Sequence, residues 1–216
     1  PATLRRQRQM CIRDSSRQGD AALKEDILGS LSTLTVSEMS ESQKLEALRV
    51  MGLTFIRRGG PDDETAQEIA EAISPLYPAS TDAMNRELVA MLVYLKADDV
   101  LAKTIPLMNQ DAAGLEEIEF DDKLLARSGQ YGRTFQNQKA NNPQRQQIWY
   151  AYALKNVSEG WNENLRKQFF SWYAKSRNFK GGASFEGFLN NFRNESLSKI
   201  QDANLRAEMD SLSKKQ

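Results

Sequence analysis

The chain of 216 residues has no histidine and a single cysteine, Cys11. Without imidazole there is no Ser-His-Asp triad, no histidine general base, no His-ligated zinc and no C-x-x-C-H haem attachment. No apolar run approaches the roughly 20 residues needed to cross a bilayer, so no membrane span is expected. Net charge is missing too, since 29 basic side chains meet 29 acidic ones. What is present is 40% hydrophobic and 27% charged residues. That composition suits one domain or two small ones and excludes a collagenous, disulfide-rich or mainly disordered chain.

The first residues stand apart from the rest. Pro1 to Ser16 has no helical or alternating apolar pattern and carries Arg5, Arg6, Arg8 and Arg13 beside Cys11. No apolar h-region follows these arginines, so no signal peptide is expected. The string R-Q-R-Q-M-C-I-R-D-S from Arg6 to Ser15 resembles a translated sequencing adapter. Residues 1–16 are therefore expected to be non-native or disordered, with the natural domain beginning near Arg17 and the chain a fragment of something longer.

From about Gly19 the chain reads as helices separated by short polar turns, with no sustained period-2 alternation. A first helix covers roughly Asp20 to Leu34, with Leu23, Ile27, Leu28 and Leu31 at helical spacing. Ser40 and Gln43 form a capping-box signature ahead of a helix whose apolar face takes Leu45, Leu48, Met51, Phe55 and Ile56. Gly59-Gly60-Pro61 stops it, and Asp62, Asp63 and Glu64 open the next helix, where the dipole favours acidic residues. Met84, Leu88, Met91, Leu92 and Leu95 give the most apolar stripe. A partner helix follows with Val100, Leu101, Ile105 and Leu107, limited by Pro106.

Residues 109–122 are acidic and pattern-poor, the expected linker between N-terminal helical repeats (17–108) and aromatic-rich C-terminal ones (123–216). The second half offers a polar helix near 123–138, then Asn142-Pro143 as N-cap and N1 of a helix with Ile148, Trp149, Tyr152 and Leu154. Trp161 and Asn162 begin a helix with Leu165, Phe169, Trp172 and Tyr173 on one face. Ser184 is expected to cap a helix bearing Phe185, Phe188, Leu189, Phe192 and Ile200, and a charged helix runs on to about Leu212.

These helices fall into pairs: 41–58 with 62–74, 82–96 with 98–108, and 143–157 with 162–178. Pair starts at 41 and 82 give a period of about 40, the spacing of HEAT-type repeats. A lone pair cannot bury its own stripe, so the expected fold class is all-α, an α-solenoid of antiparallel pairs, with a helical bundle as alternative. Several strings carry a more specific likeness. K-L-E-A-L-R-V-M-G-L-T-F-I-R-R-G-G-P-D (Lys44 to Asp62), N-R-E-L-V-A-M-L-V-Y-L-K-A (Asn85 to Ala97), G-W-N-E-N-L-R (Gly160 to Arg166) and F-K-G-G-A-S-F-E-G-F (Phe179 to Phe188) resemble a HEAT-like region of large bacterial secreted proteins. Such proteins often also carry a c-type cytochrome domain and sometimes a sugar-dehydrogenase-like propeller. The resemblance implies a periplasmic or extracellular setting and an electron-transfer neighbourhood. This chain itself has no haem motif, and no cofactor or metal is expected in it.

Candidate chemistry is sparse. In G-A-S-F-E-G (Gly182 to Gly187) Phe188 stands where a phosphate loop needs Lys, and no strand precedes it. The carboxylate pairs Asp62/Asp63, Asp98/Asp99 and Glu116/Glu117 lack the alternating spacing of a calcium loop; two sit at expected helix starts. Of 18 aromatics, 12 lie between Trp149 and Phe192, and Phe169, Trp172, Phe185, Phe188 and Phe192 are expected to pack between helices. Tyr150 and Phe170 fall off those stripes and are the expected exposed contacts.

Charge is unevenly laid out. Residues 61–122 hold 15 acidic and 3 basic side chains, net −12; residues 127–180 hold 10 basic and 2 acidic, net +8. The zero total thus hides two opposed blocks that nearly cancel. The candidate interaction surface comprises Tyr150, Phe170, Arg133, Arg145, Arg166, Lys167, Lys175 and Arg177. With no convergent catalytic set, the chain is expected to be a noncatalytic scaffold whose partners are neighbouring domains or another protein. Two alternatives stand beside it: an accessory region of a haem-containing oxidoreductase, and a nucleic-acid binder using the basic 127–180 segment. The acidic neighbour and the lack of a recognised nucleic-acid motif argue against the last.

Overall fold

The computed structural model describes residues 24–32, 38–110, 144–179 and 184–214. The expected adapter-like segment 1–16, the helix near 123–138, the Asn142-Pro143 cap and most of the 109–122 linker lie outside these residues. Among the described residues all regular structure is helical, nine α-helices and a 3-10 turn with no strand. The chain divides into two compact units, Pro1–Ala97 and Asp98–Gln216. The boundary between the units falls ahead of the helix at 100–109.

The first unit contains α1 (Lys24–Ser32), α2 (Glu41–Arg58), α3 (Asp63–Ile73), a 3-10 turn (Ser74–Leu76) and α4 (Asp82–Tyr94). Ser40 caps α2 as expected: its backbone N–H donates to Gln43 Oε1 at 2.9 Å, and its hydroxyl accepts from Gln43 N. Gly59 ends the helix at φ 84°, a left-handed conformation that favours glycine. Asp62 then caps α3, accepting from Thr65 N at 2.8 Å.

α2 packs against α1 and α4, and α3 packs on α4. The centre is α4, where Leu88, Val89 and Leu92 are fully buried, and each such side chain contributes about 1.5–3 kcal/mol. Val50 meets Ile27 and Leu31 of α1. Buried Asn85 clasps the preceding turn, accepting from Ala79 N (2.7 Å) and donating to Ala79 O (3.0 Å). Ile56, expected on the core face, is 82% exposed. It lies seven residues from exposed Arg49 and so on the same stripe, while the faces of Leu48, Phe55 and Val50 take the buried side.

The second unit contains α5 (Val100–Asn109), α6 (Arg145–Leu154), α7 (Glu163–Ser176), α8 (Phe185–Ser198) and α9 (Ala203–Leu212). α5 continues past Pro106 instead of stopping there. Ala102, four residues back, is exposed, so the carbonyl that loses its helical donor can be met by water. α7 is the hub, packed against α5, α8 and α9, while α6 packs on α5. Phe169, Phe170, Trp172, Tyr173 and Ser176 of α7 are buried, a wider arc than one contact face.

Caps in this unit follow the sequence only in part. Asn162 caps α7, accepting from Leu165 N at 2.8 Å. Ser184 precedes α8 without a side-chain capping bond. Ile200 lies beyond the end of α8 yet is buried.

Candidate functional site

The expected contact residues divide sharply once placed. Tyr150 and Phe170 are 3% and 2% exposed, so neither is a surface contact. On α6 the buried stripe is Gln147, Tyr150, Ala151 and Leu154, at i, i+3, i+4 and i+7. Two of those four are unobtrusive in sequence, glutamine and alanine, which is why the stripe was misplaced by one helical face. Gln147 belongs there because its amide is satisfied: Oε1 accepts from Trp172 Nε1 at 2.8 Å and Nε2 donates to Gln110 O at 2.6 Å. Phe170 is buried because α7 is covered on several sides, so a residue next to the main stripe also finds a neighbour.

The basic residues do not form one free surface. Arg133 lies outside the described residues. Lys167 is paired with Glu163 at 2.5 Å and Glu208 at 3.3 Å. The hydrogen bond with Glu163 raises the ammonium pKa above its ordinary value and lowers that of the Glu163 carboxyl. Arg166 lies over the Trp161 ring at 5.5 Å, and partial burial lowers its pKa. Arg177 is exposed and donates to Lys214 O at 3.4 Å. Arg145 and Lys175 are exposed.

What the second unit does present is a ridge of aromatic side chains. Trp149, Tyr152 and Phe188 are 39, 43 and 47% exposed. Trp149 and Tyr152 of α6 have ring centroids 5.8 Å apart, Tyr152 lies 5.1 Å from Phe192, and Phe188 lies 4.2 Å from Phe192 on α8. Phe192 is buried beneath, so the exposed rings rest on a fixed floor. Lys155 Nζ sits 4.9 Å from both the Tyr152 and Phe192 centroids and pairs with Glu195 at 2.5 Å. The signal was in the sequence: Arg145, Trp149 and Tyr152 recur at i, i+4 and i+7, on the opposite face of the helix from the buried stripe. Phe188, expected to pack between helices, is thus half in solvent.

The first unit has a smaller exposed apolar area. Tyr94 is exposed with its ring stacked on Phe55, 5.6 Å between centroids and 16° between planes. Exposed Ile56 follows Phe55 in the chain.

One member of each described carboxylate pair has a structural partner. Asp62 caps α3, and the Thr65 backbone N–H lowers its pKa. Asp99 pairs with Lys103 at 2.8 Å. Glu116/Glu117 lie outside the described residues. Among the described residues no group of three or more His, Cys, Asp or Glu side chains could hold a metal ion, and no helix is long and apolar enough to cross a membrane. The aromatic ridge offers π and apolar surface with a fixed cation, a chemistry of contact and not of bond-making. No family model, no curated protein and no solved structure matches this chain.

Proposed function

We propose that the chain is a noncatalytic helical-repeat scaffold that makes contacts with neighbouring domains or another protein, as part of a larger exported protein. The observation that carries this is the ridge of Trp149, Tyr152 and Phe188, three large rings half in solvent, with Trp149 against Tyr152 and both Tyr152 and Phe188 against the buried Phe192. Aromatic side chains on a rigid floor lose little conformational freedom on binding, so they suit the centre of an interface. The HEAT-like arrangement of stacked antiparallel pairs belongs to the same proposal, supported by the repeat spacing. The nucleic-acid alternative is disfavoured, because Lys167 is held by two carboxylates and Arg166 by the Trp161 ring.

Hydroxyl-radical footprinting tests the contact. The chain is compared alone and joined to the flanking polypeptide that its reading frame encodes. Protection of Trp149, Tyr152 and Phe188 in the longer protein is the expected result; unchanged labelling of all three, or turnover by the chain alone, overturns the proposal. A C-x-x-C-H motif in that polypeptide would make the neighbour a redox domain. Small-angle scattering separates stacked repeats from a bundle, since a compact chain of this length has a radius of gyration of about 17 Å and a solenoid a larger one.

A further inference from the structure

We propose that α9 is a displaceable strap: it occupies a helix-binding seat on α7 and α8 and leaves that seat as a unit while the rest of the second unit stays folded. Six of the ten residues of α9 are exposed, and only Met209 is buried. α7, by contrast, buries five side chains, four of them aromatic. A helix of ten residues is not stable by itself in water, so once detached α9 loses its helical form as a whole. Segments with so little buried apolar surface open below the global unfolding free energy.

What fastens α9 is a polar clasp around one apolar plug. Arg193 of α8 is buried, and its guanidinium pairs with Asp210 while its Nε donates to Ser213 Oγ at 2.7 Å. Ser213 Oγ donates in turn to Asp210 O at 2.8 Å, and Lys214 holds the same carboxylate at 2.6 Å. On α7, Lys167 reaches Glu208 at 3.3 Å. Beside these contacts Met209 fills its seat completely. When α9 departs, the seat is left with a place for one apolar side chain and, next to it, a guanidinium without its carboxylate. Its complement is a helical segment in which an apolar residue is followed directly by an acidic one, as Met209 is followed by Asp210. Departure exposes the apolar seat of Met209 to water and leaves the Arg193 guanidinium free to take a carboxylate, so refilling by a segment of that pattern is favoured.

The test uses the full chain. In hydrogen exchange, amides of residues 207–212 should be at least tenfold less protected than those of residues 169–176; equal protection overturns the proposal. The D210N variant should accelerate exchange at 207–212 at least tenfold and change 169–176 by less than twofold. Equal acceleration in both segments, or none in α9, overturns it. A labelled peptide of residues 201–214 supplies the strap in trans. It should bind the full-length D210N chain at least tenfold more tightly than the unaltered chain, because the internal competitor is weakened while the peptide retains its carboxylate. Equal affinity for the two chains, or binding to neither, overturns the exchangeable seat.

Discussion

In the first unit, α4 fills the core with Leu88, Val89 and Leu92; in the second, α7 fills it with Phe169, Phe170, Trp172 and Tyr173. Branched aliphatic side chains interlock through many weak contacts with little directional demand. Aromatic rings add an orientation. Phe169 meets Tyr173 nearly edge-on at 88°, and Trp172 meets Tyr173 at 75°, the geometry that aromatic quadrupoles prefer. The rings also bring polar atoms inside. Trp172 finds Gln147, whereas the Tyr173 hydroxyl is buried without a hydrogen bond of good geometry. An aromatic core therefore holds its helices in more specific positions, at the cost of polar handles brought inside, of which Trp172's is satisfied and Tyr173's is not.

Four substitutions would break or sharpen that comparison. The largest effect is expected from Phe169→Ala, which removes a ring in contact with Trp161, Phe170 and Tyr173. It should cost about 3–5 kcal/mol. All three tryptophans, Trp149, Trp161 and Trp172, lie in the second unit, so their fluorescence during urea unfolding reads that unit. A loss below about 1 kcal/mol would mean that the rings close over the gap and are no more specific than aliphatics. Leu88→Ala should cost the first unit about 2–5 kcal/mol, read by hydrogen exchange at α4 amides. No acceleration there would place the first unit's core elsewhere. Asn162→Ala removes the cap of the aromatic hub helix and should lower stability by about 1 kcal/mol in the same urea experiment. The smallest effect belongs to Ile56→Ser, within about 0.5 kcal/mol by thermal unfolding, because the side chain leaves only solvent. A loss of several times that size would show this face of α2 to be covered.

The sequence was most informative where the cause of structure is local. The Ser40–Gln43 box depends on residues three apart and is present in the structure, and Asn162, read as part of a helix start, caps α7. The opening of α3 at Asp62 follows the same logic. Burial was harder to read, because it depends on how many neighbours a helix has. α7 has three packed neighbours and buries Phe170 beside its main stripe; α6 hides its core face behind Gln147 and Ala151. Ser184 carried a good capping residue type, yet the chain enters α8 at a ψ of 0°, far from the extended backbone usual at a cap, and no side-chain capping bond forms. The ridge was legible only as a second stripe on α6, and its counterpart Phe188 comes from another helix altogether. Proximity between residues 152 and 192 is a property of the tertiary fold, invisible to periodicity.

The buried phenol of Tyr173 has an optical consequence. Burial raises its pKa far above the ordinary 10.0, and the nearby Ser196 hydroxyl and Arg193 charge offset this only in part. While the second unit is folded, this ring absorbs as neutral tyrosine through alkaline conditions that ionise an ordinary phenol. Its ionisation is then tied to the opening of the core, and the growth of its tyrosinate band in an alkaline jump would time that opening, from a chromophore the chain already contains.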